Sequence, residues 1–406
     1  MTVVDSRVLR TIYPRVLSRM FAVTRSLPDA EDAMQEAIVR ALATWGERGT
    51  PDSPEAWLTT VATNVHRDRL RKGRWEQPRQ DGLEVLAQAS PWVQLAVGER
   101  EIARGWKDEL LALLFACCHP ALEDGEASAL CLATIVGMST TEIAAAFRCA
   151  PRTMEQRLTR ARRRLRERGD CEGVRPEAAR VRLPAVLRAI HLLFSEGYWS
   201  NDDTTPIRVA LCRLAIGLAR SLRDAYPDEP EVAGLCALLM LHDARRRGRH
   251  GPDGEPVALP QQDRSRWDHD AIAVATALLH EAARRGRPGP YQLEAAISAT
   301  HCRGSTAAET DWVEIAALYE ALEAMRPVPA VRVNRAFALA RAEGPRAGLR
   351  LLTDVDEPYV HLVRGSLLAE LGERDAAVAS LRQAHAHARN AAERRDVQRK
   401  IEELTR

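Results

Sequence analysis

Apolar residues recur every three or four positions along most of this chain, and no stretch alternates with period two for long, so the pattern predicts an all-α protein. The sharpest stripe is Met154, Leu158, Ala161 and Leu165, in a helix whose first residue is Pro151. Proline is tolerated there because the missing N–H has no intrahelical partner in any case. A shorter helix precedes it, with Ile143, Ala144, Ala146 and Phe147 as a small-residue apolar face. Ser139 and Glu142 stand three apart at its start, the spacing of a capping box, and Gly137 is placed to end the run "ALCLATIV" in a left-handed conformation. With Arg148, Cys149 and Ala150 as the turn, Met138 to Arg168 reads as a helix-turn-helix.

Upstream, Ala30, Met34, Ala37, Ala41 and Trp45 repeat at helical spacing from near Asp29, leaving Asp32, Gln35, Glu36 and Arg40 on the opposite face. A loop "GERGTPDSP" follows. Then "PEAWLTTVATNVHRDRLRKGR" turns Leu58, Val61 and Val65 inward and gathers Arg67, Arg69, Arg71, Lys72 and Arg74 at its end. The pattern divides the chain into a helical unit at 1–74, a linker with one short helix at 75–105, the helix-turn-helix domain at 106–170, and a helical extension at 178–406. Within the extension, "RAFALARAEGPRAGLRLL" (335–352) overlays "RGSLLAELGERDAAVASL" (364–381), matching Arg335 to Arg364, Leu339 to Leu368, Ala347 to Ala376 and Leu352 to Leu381. Paired short helices with small residues at the crossing are the pattern of tetratricopeptide-like solenoids, and "DWVEIAALYEALEAM" fits a helix of an earlier unit.

Charge changes the picture at one place. The net charge of +2 conceals nine arginines against three glutamates in residues 139–168, so the basicity collects on the helix-turn-helix. Arg152, Gln156, Thr159 and Arg163 point away from the apolar stripe, and arginine and glutamine carry the paired groups that read guanine and adenine edges in a major groove. The predicted partner is therefore DNA. Eight cysteines show no CxxC spacing, and Cys117, Cys118 and His119 lie at the end of an apolar helix with no further metal ligands apparent, so no cofactor or metal is expected. His191, Ser195 and Glu196 lie within apolar helical patterns and form no nucleophile and base set, which argues against an enzyme. No secretory signal and no run of about 18 apolar residues is present, so a cytoplasmic protein is expected.

The order "DAEDAMQEAIVRALATW", "WLTTVATNVHRDRLRK", a linker and "EQRLTRARRRLR" resembles the bacterial extracytoplasmic-function sigma factors. It is most similar to the subgroup in which "LLFACCHPAL" precedes the helix-turn-helix and a long tetratricopeptide-like extension carries segments like "LLFSEGYWS", "LLMLHDARR", "QDRSRWD" and "PGPYQLEAAI". The resemblance implies two small sigma domains, region 2 and region 4, and binding to core RNA polymerase through the clamp of its largest subunit and through the flap. It assigns Asp32, Gln35, Glu36 and Arg40 to the polymerase. Trp57, Asn64, Arg67, Asp68 and Arg71 would meet the melted minus-10 strand. Arg152, Thr153, Gln156 and Arg160 would read the minus-35 duplex, with Arg163 and Arg164 on phosphates. Ala150, at the N-cap position of the recognition helix, departs from the better-capping residues expected there. The extension would regulate, or bind a protein partner. The alternative is a helix-turn-helix transcriptional regulator with a solenoid sensor domain; it has no use for the acidic helix and the Trp57 to Arg74 segment.

Overall fold

The protein is described by a computed structural model over residues 6–72, 104–147, 149–168, 176–198, 209–249, 251, 257–355, 359–388 and 391–406. The expected linker at 75–105 and the junction near 169–177 fall almost wholly outside the described residues. Among the described residues every regular element is helical.

Three helices open the chain: α1 (Ser6–Thr24), α2 (Leu27–Arg48) and α3 (Pro54–Lys72), each packed on the other two. Met20, Met34, Ile38, Trp45 and Leu58 are fully or almost fully buried between them. α2 begins two residues before the expected Asp29. The Ser26 hydroxyl accepts the Asp29 N–H and Pro28 sits in the first turn, so the Leu27-Pro28 pair starts the helix and does not lead up to it. α2 also continues past Trp45 through Gly46 to Arg48, shortening the loop before Pro54.

The next group is α4 (Arg104–Cys117), α5 (Asp124–Cys131), a π-helical turn at Leu132–Val136, α6 (Thr140–Ala146), α7 (Pro151–Arg168) and α8 (Pro176–Tyr198). Gly137 closes the π turn at φ 73°, ψ 29°, the left-handed conformation expected of it. Ser139 and Glu142 form the expected capping box. α7 buries Met154, Leu158, Ala161 and Leu165, as its spacing predicts. α4 packs on α1, and α8 packs on α4 and α5. The described residues form two compact units, one within Met1–Tyr198 and Arg208–Leu222, the other within Arg223–Arg406.

The second unit follows α9 (Val209–Ala225) and contains α10 (Pro230–Ala244), α11 (His269–Ala283), α12 (Pro290–Arg303), α13 (Trp312–Met325), α14 (Pro329–Glu343), α15 (Pro345–Leu351), α16 (Val360–Glu370), α17 (Arg374–Ala386) and α18 (Ala391–Thr405). α14 pairs with α15, and α16 with α17, in the two segments that overlay in sequence. Their crossings are closed by small residues in exchanged positions. In the first pair Gly348 of α15 lies so close to α14 that a Cβ would stand 2.4 Å from the Ala336 carbonyl oxygen. In the second pair Gly365 of α16 faces Ala377 of α17, where a Cβ would stand 3.2 Å from the Ala377 oxygen and 2.8 Å from Leu381 Cγ. Each crossing thus uses one glycine and one alanine, on opposite helices. Gly348→Ala is expected to force the backbones apart and to lower the unfolding stability of this unit by about 1–3 kcal/mol in urea titration. A change below about 0.5 kcal/mol would show that the crossing is not under that constraint.

Candidate nucleic-acid interface

The surface that the sequence assigns to DNA is built on α7 and α3. On α7, Arg152, Thr153, Gln156, Thr159, Arg160 and Arg163 are all exposed. Glu155, Gln156, Thr159, Arg160 and Arg163 line a shallow open depression of about 400 Å³. Arg157 turns the other way and lies over the Phe147 ring at 5.5 Å, fixing α7 against α6. The Ala150 carbonyl accepts the Thr153 and Met154 N–H groups at 2.9 and 3.2 Å, so the helix start is satisfied partly by backbone where a side-chain cap is lacking. Among the described residues Arg163 forms only an exposed ion pair with Glu167 at 3.6 Å, a contact weak enough to be exchanged for a phosphate.

Arg164 is placed differently from the phosphate-holding position expected of it. Its guanidinium is only one-third exposed and donates to Glu126 at 2.5 Å, with Glu123 at 3.6 Å. Glu126 is itself buried and joins its side chain to the Glu123 N–H in the capping box of α5. Arg164 is therefore a strut between α7 and α5.

On α3, Asn64, Arg67 and Arg71 are exposed, Asp68 is half-buried, and Arg71 is paired with Asp68 one turn back. Trp57 is half-buried with its ring edge-on to Trp45, centroids 5.4 Å apart at 65°. This pairing carries the end of α2 to the start of α3 and leaves one aromatic flank and the polar face of α3 on the same helix. Such a combination of aromatic edge and arginine track suits an unstacked strand.

The face of α2 departs most from expectation. Gln35 and Glu36 are half-buried and Arg40 is exposed, Arg40 pairing with Glu36 at 3.1 Å. Asp32, expected on an open face, is 4 % exposed, and its neighbour Glu31 is 2 % exposed. Both are covered by α7. Arg162 donates from Nε to both Glu31 oxygens at 3.1 and 2.9 Å and from Nη2 at 3.0 Å, a fork geometry that strengthens as water is excluded. Arg166 donates to Asp32 at 2.7 Å, and Arg69 of α3 approaches the other Asp32 oxygen at 3.7 Å. Burial opposes the Arg162 charge, yet the Glu31 carboxylate and its hydrogen bonds outweigh it and hold the guanidinium charged. For Asp32 the balance runs the other way: burial raises its pKa despite Arg166 and Arg69. Tyr13 is buried against this group and its hydroxyl is raised by burial, then by Glu31. A physical clue to this contact lay in the spacing. Arg162 is four residues after Leu158 and three before Leu165, on the flank of the inward stripe.

Cys117, Cys118 and Cys131 are buried together in the adjoining core, with Cys118 and Cys131 sulfurs 3.8 Å apart. Hydrogen bonds from Cys117 and Cys118, and burial, raise the Cys131 thiol. Among the described residues no group of His, Cys, Asp and Glu side chains has metal-holding geometry, and no helix is long and apolar enough to cross a membrane.

Three stretches of the chain match known families. Residues 8–76 match the family described as Sigma-70 region 2, residues 112–165 match Sigma-70, region 4, and residues 182–283 match a family of unknown function. The chain is 38 % identical over 400 residues to an uncharacterized protein of Rhizobium meliloti (strain 1021), covering 96 % of this chain and 93 % of that one. It is 32 % identical over 149 residues to the ECF RNA polymerase sigma factor EcfG of Rhodopseudomonas palustris (strain TIE-1), covering 36 % of this chain and 76 % of that one. No solved structure gives a significant match.

Proposed function

The chain belongs to the extracytoplasmic-function RNA polymerase sigma factors, and from that premise we propose how its surfaces divide the work and how they are held in check. It is an alternative sigma factor that binds core RNA polymerase and directs promoter recognition. In our reading the α2 face with Asp32, Gln35, Glu36 and Arg40 docks on the polymerase clamp, and the helix-turn-helix reaches the flap. Trp57, Asn64, Arg67, Asp68 and Arg71 receive the melted minus-10 strand. Arg152, Thr153, Gln156 and Arg160 read the minus-35 duplex and Arg163 holds a phosphate, while Arg164 supports α7 from behind. The protein works in the cytoplasm, by binding and not by catalysis.

The contact of Arg162 and Arg166 with Glu31 and Asp32 supports a further step. The described arrangement is a closed form, in which α7 covers two acids of the helix that should meet polymerase. Polymerase and α7 cannot both occupy that strip, so docking requires the two sigma regions to separate. The outward face of α7 stays exposed in the closed form, so the restraint acts on polymerase docking more than on duplex reading. The extension, tetratricopeptide-like in its paired helices, sets how readily the chain opens, directly or through a protein partner.

Transcription in vitro with purified core polymerase tests the reading, using templates chosen by mapping transcript starts after overexpression. The full chain should give promoter-dependent product, and a chain ending after Ala225 should give a different yield at equal concentration. Absence of promoter-dependent product from both chains overturns the sigma assignment. Equal yields from the two remove the regulatory role of the extension.

A further inference from the structure

Three of the segments singled out in the extension meet at one place within the second unit. "LLMLHDARR" ends α10 and supplies Arg245. "QDRSRWD" forms a short 3-10 turn, Arg264–Arg266, and supplies Arg264 and Trp267. The helix begun by "PGPYQLEAAI" runs on to His301 and Cys302 at its end. The turn is tied to α10 by the Asp268 N–H donating to the Ala244 carbonyl at 2.9 Å, and to α12 by Arg264 donating to the His301 and Gly304 carbonyls at 3.0 and 2.6 Å.

Two arginines are buried here, Arg245 at 8 % exposure and Arg264 at 7 %. Arg264 is accounted for: its other nitrogen donates to the Thr310 hydroxyl at 3.2 Å and its guanidinium lies 5.0 Å over the Trp267 ring. Arg245 is not. Its Nε is buried with no hydrogen-bond partner, and among the described residues its guanidinium makes no ion pair. The neighbouring acids are engaged elsewhere. Asp243 pairs with Arg246 at 3.0 Å, Glu294 with Arg326, and Glu309 accepts from Ser305. Proteins rarely leave a buried charge uncompensated, and a position at a helix C-terminus offsets only a small part of that cost. Among the described residues, the Tyr319 hydroxyl and the His301 imidazole also lie within electrostatic reach of Arg245. Among the described residues Tyr319 of α13 has no hydrogen-bond partner, and burial keeps its hydroxyl protonated. His301, beside Arg245 and Arg264, is lowered to about 4 by burial and by those two charges, so at neutral pH it is uncharged and carries a single N–H.

We infer that Arg245, Tyr319 and His301 form a binding site in the extension for a small oxyanion, a carboxylate or a phosphate, held by the Arg245 guanidinium with the hydroxyl and imidazole as supporting donors. Arginine matches both anions because its fork presents parallel N–H groups to two oxygens. The site deepens the proposed regulatory role of the extension by giving it a chemical input. It does not depend on polymerase binding, so its test and the transcription test fail separately.

The full chain is titrated with sodium phosphate and, separately, with sodium succinate, each against sodium chloride of equal ionic strength, and binding is followed by calorimetry and by thermal shift. One of the two anions is expected to bind saturably. The phosphate arm and the succinate arm identify the source. Arg245→Met keeps the stem's packing and removes the fork, and should weaken binding at least about tenfold. Should Arg245→Met not fold, Tyr319→Phe makes the same comparison with a loss of about fivefold. No saturable binding of either anion, or equal binding by wild type and variant, overturns the site.

Discussion

Arg162→Met is expected to bind core RNA polymerase at least about tenfold more tightly than the unmodified chain, measured by titrating fluorescently labelled protein with core enzyme in the absence of DNA. The substitution leaves Glu31 nearly buried opposite an apolar side chain. Removing one partner of a buried ion pair typically costs about 3–5 kcal/mol. Here that cost falls on the closed form alone, because Glu31 meets water or polymerase once α7 has left. Apparent affinity is the intrinsic affinity scaled by the fraction of open molecules, so shifting the balance toward opening raises it until closure no longer limits docking. Unchanged helicity and an unchanged core melting transition separate this from simple unfolding. Affinity equal to or below that of the unmodified chain would sink the closed-form reading while leaving the family assignment untouched.

The second large effect lies on the outward face of α7. Holoenzyme carrying Arg152→Ala and Gln156→Ala together should lose minus-35 recognition by about 2–6 kcal/mol, since each paired contact to a base edge discriminates by roughly 1–3 kcal/mol. Competition with a promoter of scrambled upstream element would show the loss as reduced specificity. The slope of affinity against salt should change little. Arg163→Ala should do the reverse, weakening all sequences alike and lowering that slope by about one. If the double variant still prefers the authentic upstream element to the same degree, then Arg152 and Gln156 are not its readers.

How far these surfaces were legible depends on what kind of interaction makes each one. The α7 stripe, the Gly137 turn and the Ser139–Glu142 box are local, and local spacing determines them, so residue pattern alone places them correctly. Spacing alone puts the start of α2 two residues late because a Leu-Pro pair looks like a lead-in, although proline is at home in a first helical turn. The π turn at Leu132–Val136 leaves no mark in an unbroken apolar run. The burial of Asp32 escapes residue spacing for a deeper reason. Its burial comes from Arg166, 134 residues away, and a charged residue on a helix flank looks the same in sequence whether it faces water or a distant arginine. The contact of Arg164 is equally hidden, because nothing local to α7 points to Glu126 of α5.

Asp32 and Glu31 differ in what remains to them when α7 departs. Asp32 is already approached by Arg69 from α3, so it passes from two guanidinium neighbours to one. Among the described residues Glu31 has its guanidinium contacts from Arg162 alone. In kinetic terms the two acids divide the barrier to separation: Glu31 sets its height, since its bonds to Arg162 must break together, whereas Asp32 is handed over without ever standing bare. Removing the Arg69 guanidinium should therefore slow the hand-over while leaving the bond that anchors the resting state in place.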